Sequence, residues 1–209
     1  AARLEALDVD VPGDPSSAAF FAGLAAIADH GTLALEHVCL NPTRVGALRV
    51  LERMGARVEF GDVIDAGGEP VSRVIVSPRQ LVGARVEAGE VPSLIDELPV
   101  LACVAARARG ETRVTGAAEL RVKESDRIAA IVSNLRAVGA EADELEDGFV
   151  VRGNDGPLDG GVRTRGDHRI AMAFGVLGAV EGNGIEIDDR ECVSVSYPGF
   201  WSDLDRVTR

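Results

Sequence analysis

Two short segments of this sequence concentrate charged side chains that could bind an anion. The segment RVKESDR, residues 121–127, holds two arginines, a lysine, a glutamate and an aspartate, and RTRGDHR, residues 163–169, holds three arginines and a histidine. Guanidinium and ammonium groups bind phosphates and carboxylates, and arginine can do so through two parallel hydrogen bonds. The two segments therefore predict a site for anionic groups.

Both segments lie where helices are expected to begin, and so do two others, GDPSSA from Gly13 and IDELP from Ile95. A helix N-terminus attracts anions because its first N–H groups are free and its dipole is positive there. If the helices run in parallel, the two charged clusters emerge at the same end. Each segment alone is also typical of an ordinary helix cap. Asp96 could be only a cap, because Asp14 and Asp167 occupy equivalent positions.

The composition limits the partners that we expect. Acidic residues outnumber basic ones by 34 to 22 over 209 residues, so the formal net charge is −12 at pH 7. This charge repels nucleic-acid phosphates, and no apolar run reaches the roughly 18 residues of a membrane span, so neither partner is expected. The three cysteines lie far apart without zinc-ligand spacing, which favours a reducing cytoplasm and no metal site. Lys123 is the sole lysine.

One pattern recurs three times along the chain. Each copy starts at an aspartate (Asp14, Asp96 or Asp167), continues through an apolar stretch of helical length and a glycine-containing turn, and ends in a short alternating run. Aspartate is a good N-cap residue, so the same cap at three equivalent places indicates three helices of one repeated unit.

The second helix of each copy has its own start and stop signals. Asn41 is the expected cap in the first copy, Ser125 or Asp126 in the second, and SYPGFWSDLDRV takes this place in the third. The first two of these helices are expected to end at Gly55 and Gly139, because glycine readily adopts the left-handed conformation of a C-cap.

These signals predict an α/β fold with three units of the order strand, helix, strand, helix, strand, strand, packed around a common core with helices inside. The units span about residues 7–80, 84–153 and 162–209, the last one incomplete. Residues 153–161, GNDGPLDGG, are the expected flexible link. The expected strands are LDVDV, TLAL, RVEF, RVIV, ARVEA, TRVTG, FVVRG and GIEID.

Four segments, in this order and spacing, closely resemble the C-terminal half of the 5-enolpyruvylshikimate-3-phosphate synthase family: VPGDPSSAAFF, LNPTR, LRVKESDRI and DHRIAMAF. The resemblance covers essentially the whole chain, and KESDR followed by DHRIAM is its most specific part. It implies one lobe of an inside-out α/β barrel made of three βαβαββ units with inward-facing helices. The reaction then takes place in the cleft between this lobe and a second one.

The resemblance also implies an activity. The family transfers the enolpyruvyl group of phosphoenolpyruvate to the 5-hydroxyl of shikimate 3-phosphate and releases phosphate, with no metal or organic cofactor, as a step of aromatic amino acid biosynthesis. By position, Asp96 matches the proton acceptor, which also hydrogen-bonds shikimate 3-phosphate. Glu124 matches the acid that protonates the enolpyruvyl carbon.

The implied substrate-binding residues lie in the two charged segments. Lys123 matches the lysine that contacts shikimate 3-phosphate, and Arg127 and Arg169 match the two arginines that hold phosphoenolpyruvate. We assign His168 to the substrate-binding residues as well. The alternative, that it supports these residues without contacting the substrate, stays open. Bidentate pairing explains why arginine serves here better than lysine.

The sequence departs from the family pattern at two positions and in length. Val195 stands where many members have a lysine that contacts phosphoenolpyruvate, and Glu119 stands where some have an asparagine; both features resemble the branch whose members often tolerate glyphosate. The N-terminal half, with further substrate-binding residues and the first strands that complete this lobe, is not in this sequence. We therefore expect the isolated chain to be inactive.

Two alternative functions stay open. The first is a lobe of the related enolpyruvyl transferase that acts on UDP-N-acetylglucosamine, although the pair of KESDR and DHRIAM argues against it. The second is a non-catalytic folding and binding module. We favour this interpretation for the polypeptide alone and the transferase activity for its parent enzyme.

Overall fold

The computed structural model describes residues 10–209. The α-helices of this part are α1 (Pro15–Ile27), α2 (Gly46–Arg53), α3 (Leu98–Ala105), α4 (Arg127–Ala137), α5 (His168–Gly178) and α6 (Phe200–Val207). The strands are β1 (Leu33–Cys39), β2 (Arg57–Phe60), β3 (Ile64–Ala66), β4 (Glu69–Ser77), β5 (Arg85–Val86), β6 (Gly110–Val114), β7 (Glu141–Leu145), β8 (Gly148–Gly153), β9 (Asp159–Val162) and β10 (Gly184–Ile187).

The predicted repeat is confirmed by the path of the chain. In the second unit, β5 and β6 are parallel and flank α3, and β8 lies antiparallel between β6 and β7. The first unit follows the same route, with β4 antiparallel between β1 and β2, and β3 extending the line of β2. The third unit has parallel strands β9 and β10 around α5, followed by α6.

The helices α1, α3 and α5 form the centre of the molecule, as the inward-facing arrangement requires. They pack against one another, and their long apolar side chains, such as Phe20, Leu101 and Phe174, are buried. Small residues allow close approach, since a Cβ atom on Gly23 of α1 would lie 2.9 Å from the side chain of Val100 on α3. Each large side chain buried in this way contributes roughly 1.5–3 kcal/mol to folding.

Most predicted helix ends are confirmed. The Asp14 carboxylate accepts hydrogen bonds from the backbone N–H groups of Ser16 and Ser17, and Asp126 caps α4 through the N–H of Ala129. Gly55 and Gly139 follow α2 and α4 with φ of +102° and +89°. At both glycines the chain leaves the helix through the left-handed conformation that the sequence predicts.

Two predicted caps are wrong. α2 begins at Gly46 rather than after Asn41, whose side-chain oxygen instead accepts hydrogen bonds from Thr43 in a separate turn. Asp96 lies in a 3₁₀ turn, Ile95–Glu97, before α3, and it does not cap that helix. In each case the side chain has other partners, which draw it away from the helix end.

Three strands were missed by the sequence reasoning, and the shortest of them is β3, which pairs with β4. Residues 159–161 of the expected flexible link belong to β9, which pairs with β10, and the acidic segment Glu141–Leu145 forms β7 against β8. Of the expected strand LDVDV, residues 7–9 lie outside the described residues. In the second and third units, the strands on either side of the central helix are parallel. The corresponding contact of the first unit is the parallel bridge between Gly13 and Val38 of β1.

Cys103 of α3 and Met172 of α5 are buried in the core. Within residues 10–209, none of the helices has the length and apolar character needed to cross a membrane.

Candidate active site

The turns that precede α3, α4 and α5 converge at one end of the molecule and bring the two charged segments together. Arg127, the first residue of α4, binds Asp167, the residue that caps α5, and it also binds Asp96 in the turn before α3. The predicted meeting of RVKESDR and RTRGDHR at one end is therefore confirmed by the geometry.

The half-buried carboxylate of Asp96 lies among three cations. Its Oδ1 atom is 3.1 Å from Nη1 of Arg127 and 3.8 Å from Nζ of Lys123, and its Oδ2 atom is 3.4 Å from Nη2 of Arg169. Arg169 also donates a hydrogen bond of 3.2 Å to the backbone oxygen of Asp96. These contacts explain why Asp96 is not a cap, and they place it at the centre of the cluster.

Arg127 is almost completely buried, with 1% of its side chain exposed. Its Nε and Nη2 atoms donate to the two carboxylate oxygens of Asp167, at 2.9 and 3.3 Å, and Nη2 also donates to Glu124 at 2.5 Å. A buried guanidinium group is stable only when its donors are paired. The carboxylates around Arg127 therefore fix both its position and its orientation.

Asp167 is a site residue whose importance the sequence reasoning missed. Its carboxylate is fully buried, accepts a further hydrogen bond from Ser125 Oγ at 2.9 Å, and caps α5 through the N–H of Arg169. Burial alone would raise the pKa of Asp167, but hydrogen bonds and the charge of Arg127 lower it below its usual range. Asp167 thus links both arginines that the sequence assigns to anion binding.

A signal for this buried pair was present in the sequence. Arg127 lies in the same helical row as Ile131 and Leu135, at intervals of four residues, and both apolar side chains are buried. An arginine on the buried row of a helix requires an acidic partner, because an unpaired buried charge is very costly. Which carboxylate supplies that charge cannot be read from the row.

The remaining predicted site residues lie around the same cluster. Glu124 is half-exposed beside Arg127, and His168 is buried at the first position of α5. Burial, followed by the positive charge of Arg169, lowers the pKa of His168 below its usual range. The imidazole is therefore mainly neutral at pH 7 and adds little positive charge to the site.

Lys123 already has a carboxylate partner. Its Nζ atom is 3.0 Å from Oε1 of Glu119, closer than it is to Asp96. Val195 ends a 3₁₀ segment, Glu191–Val195, and its exposed side chain offers no charge to an anion. An anion that enters this site must therefore compete with Glu119 for Lys123 and with Glu124 for Arg127.

Among residues 10–209 there is no group of three or more His, Cys, Asp or Glu side chains placed to hold a metal ion. The chemistry available from the cluster itself is that of cations that bind anions and of carboxylates that exchange protons.

Comparisons with known proteins give consistent matches over nearly the whole chain. The family model described as EPSP synthase (3-phosphoshikimate 1-carboxyvinyltransferase) matches residues 1–204. A relative from Sulfurihydrogenibium sp. (strain YO3AOP1), named 3-phosphoshikimate 1-carboxyvinyltransferase, is 48% identical over 99% of this chain and 48% of its own length. One of the same name from Aquifex aeolicus is 48% identical over 98% of this chain and 48% of its own.

Solved structures agree with the sequence matches. A structure of EPSP synthase from Acinetobacter baumannii superposes with a TM-score of 0.90 at 39% identity, covering 96% of this chain and 46% of the other. The enolpyruvyl transferase NikO from Streptomyces tendae shares the fold, with a TM-score of 0.69 at 20% identity over 95% of this chain and 44% of its own. The chain spans about half the length of the curated relatives it matches.

Proposed function

This chain belongs to the EPSP synthase family, and on that premise we propose that it forms the C-terminal lobe of a 3-phosphoshikimate 1-carboxyvinyltransferase. The observation that carries the proposal is the position of Asp96 within 4 Å of Lys123, Arg127 and Arg169, at the end of the molecule where three helices begin. A proton acceptor surrounded by anion-binding groups fits a reaction between two phosphorylated substrates.

The proposed reaction joins the 5-hydroxyl oxygen of shikimate 3-phosphate to C2 of phosphoenolpyruvate. Asp96 accepts the hydroxyl proton, and Glu124 supplies a proton to the methylene carbon, C3. The bond from C2 to the phosphate oxygen then breaks and C3 gives up a proton, so that inorganic phosphate and the enolpyruvyl ether are the products. The half-exposed position of Glu124 allows it to reach a substrate in an open cleft.

Two arginines and a lysine hold the anions in this proposal. Arg127 and Arg169 bind phosphoenolpyruvate, Lys123 binds shikimate 3-phosphate, and neutral His168 supports them beside Arg169. Because Arg127 is held rigidly by Asp167, it presents fixed donors once Glu124 turns from Nη2 toward the substrate. Fixed donors stabilise developing charge without reorganising during the reaction.

The proposed partner of this chain is the N-terminal half of the same enzyme. Over residues 10–209, β10 pairs only with β9, whereas β6 and β1 in the other units each pair with a further antiparallel strand. Beside the open edge of β10, a groove of about 540 Å³ is lined by residues of β10, α5 and α6, such as Trp201. Strands from the missing half would fill this position and complete the third unit.

We further propose that residues 7–80, 84–153 and 162–209 are the three units of a single lobe. The strand β9 starts at Asp159, so the third unit takes in a few residues before 162. We also propose a cytoplasmic location, which the three free thiols of Cys39, Cys103 and Cys192 support, because cysteines stay reduced in that compartment.

The test uses a chimera in which this chain is joined to the first half of the Aquifex aeolicus relative. We expect the chimera to release phosphate from phosphoenolpyruvate when shikimate 3-phosphate is present, and we expect the isolated chain to show no measurable turnover. The reason is that positioning in a closed cleft supplies a large part of catalysis, and one half of the cleft is missing from the isolated chain. Phosphate release is the measurement.

The intact Aquifex aeolicus relative serves as the positive control, and UDP-N-acetylglucosamine as the competing acceptor. A chimera that unfolds cooperatively but releases no phosphate with shikimate 3-phosphate contradicts the proposed function. Release with UDP-N-acetylglucosamine instead supports the related transferase, and turnover by the isolated chain contradicts the expected dependence on a second lobe.

A separate prediction concerns anion binding by the isolated chain. We expect inorganic phosphate to bind weakly near Lys123, Arg127 and Arg169, and Glu119→Gln to strengthen this binding by up to about fivefold, since it removes a carboxylate worth at most about 1 kcal/mol from Lys123. Chemical-shift titration with phosphate measures the affinity. The control is Glu141→Gln, an exposed glutamate on β7 that should leave the affinity unchanged.

The shifts must also fall in the right place. Shifts centred on other cations contradict the assignment of this anion site, as does unchanged affinity in Glu119→Gln.

A further inference from the structure

We propose that Glu97 is a positioning residue, whose buried side chain joins the turn that carries Asp96 to the first turn of α1 and so holds the Asp96 carboxylate among its cations. Glu97 directly follows Asp96 and is only 4% exposed. Its Oε1 atom accepts a hydrogen bond from Oγ of Ser16, a residue that lies 81 positions earlier in the chain. This inference rests on the proposed role of Asp96 as the proton acceptor.

The contact belongs to a short network that continues to a third segment. Nη2 of Arg44 donates to Oγ of Ser16 and to Oδ1 of Asp14, each at 3.1 Å. The network thus contains residues of VPGDPSSAAFF and LNPTR, two of the four segments by which the sequence resembles its family. Neither segment supplies a residue to the proposed chemistry, and the network gives both a function close to the site.

The turn before α3 is held from two sides, by the cations around Asp96, which include Arg127 and Arg169, and by Ser16 at Glu97. From one side, Arg169 donates to the backbone oxygen of Asp96 and contacts its carboxylate. From the other side, Ser16 holds Glu97. A 3₁₀ turn of three residues has little rigidity of its own, so losing one attachment allows the turn to rotate about the other. A shift of about 1 Å in a reacting group can lower a rate about 100-fold.

Burial makes the uncharged form of the Glu97 carboxyl group more favourable than it is in water. Burial raises the pKa of Glu97, and the neighbouring Asp96 raises it further, while Arg169 and Arg44 act in the opposite direction together with the hydrogen bond from Ser16. Glutamine has nearly the same shape as a protonated glutamate and keeps the oxygen that accepts from Ser16. Glu97→Gln is therefore the conservative replacement for the contact.

The experiment compares three variants in the chimera. We expect Glu97→Ala to lower kcat by about 10- to 100-fold with a much smaller change in the KM for phosphoenolpyruvate. The reason is that Arg127 and Arg169, which bind this substrate, stay in place while Asp96 moves. Glu97→Gln keeps the oxygen that accepts from Ser16, so its kcat should stay within about threefold of the parent value. Ser16→Ala should lower kcat, as Glu97→Ala does.

A double-mutant cycle with Asp96→Asn separates positioning from general stability. If Glu97 acts through Asp96, adding Glu97→Ala to Asp96→Asn should cost almost nothing further in kcat. Additive losses, a loss confined to KM, or no rescue by glutamine overturn the proposal. If Glu97→Ala does not fold, Ser16→Ala takes its place in the cycle.

The two proposals fail in different ways. Near-parental activity of Asp96→Asn alone contradicts the proposed function and not the contact between Glu97 and Ser16. Full activity of Ser16→Ala, in a chimera where Asp96→Asn is inactive, contradicts the positioning role and leaves the proposed function standing.

Discussion

Asp96→Asn should lower the turnover of the chimera by at least about two orders of magnitude, the lower end of the range for general acid–base catalysis. An amide cannot accept the proton of the attacking hydroxyl, although it keeps nearly the same shape and one hydrogen-bond acceptor. Since Asp96 is half-exposed and Arg127 keeps its bonds to Asp167, we expect the variant to fold and to retain at least weak binding of shikimate 3-phosphate. Steady-state phosphate release measures the effect.

The matched control is Asp14→Asn, the same substitution at the start of α1. Asp14 caps that helix and pairs with Arg44, and asparagine caps about as well as aspartate, so the cost to turnover should be far smaller. If both substitutions slow turnover equally, or if Asp96→Asn keeps near-parental activity, the assignment of proton transfer to Asp96 is wrong.

The comparison of Asp14 with Asp96 shows what the sequence can and cannot predict about this fold. Both aspartates stand before an apolar helical segment that contains proline, and local signals of this kind predict the repeat and most helix ends correctly. The difference between them depends on residues far along the chain. Asp14 meets the N–H groups of its own helix, whereas Asp96 is drawn away by Arg169, which lies 73 positions later.

Long-range pairing also explains two of the three strands that were missed, β7 and β9. The segment EADEL, residues 141–145, has a composition that is unusual for a strand, and it becomes β7 because β8 pairs along its whole length. The glycine-rich segment before residue 162 is extended for the same reason, since β10 binds it. Intrinsic preference is weak in both places, so the partner decides the structure, and the partner is not visible in a local pattern.

The sequence predicted that the two charged segments meet at one end of the molecule, but it did not predict the charge balance of the cluster. The two clusters of cations were expected to capture anions directly, whereas the structure pairs Lys123 with Glu119, and Arg127 with Asp167 and Glu124. Such pairing follows from the cost of placing several positive charges together with little water. We therefore expect the isolated chain to bind anions weakly.

Asp167→Asn should lower the free energy of unfolding of this chain by about 3 kcal/mol, the lower end of the cost of breaking a buried ion pair. Asparagine can still cap α5 and accept one hydrogen bond, so the substitution removes mainly the negative charge next to Arg127. That arginine is buried and cannot turn to water. Urea unfolding, followed by circular dichroism, measures the change.

The exposed Asp143 provides the control, because it also forms ion pairs with arginine, here Arg136 and Arg152, but at the surface. Asp143→Asn should move the unfolding midpoint little, since water and salt screen these pairs. An equal effect of the two substitutions, or a loss well below 1 kcal/mol for Asp167→Asn, contradicts the view that the buried charge organises the site.

The effect of Asp167 should also depend on pH in a defined direction. The pKa of this carboxyl group is lower in the folded chain than its ordinary value of 3.8, so its contribution to stability is fully present above that value. As the pH falls through the lowered pKa, the parent chain takes up a proton at Asp167 and comes to resemble the asparagine variant. The difference in unfolding free energy between the two should therefore be largest near neutral pH and shrink in acid, whereas a difference independent of pH would mean that the lost shape or cap, and not the lost charge, destabilises the variant.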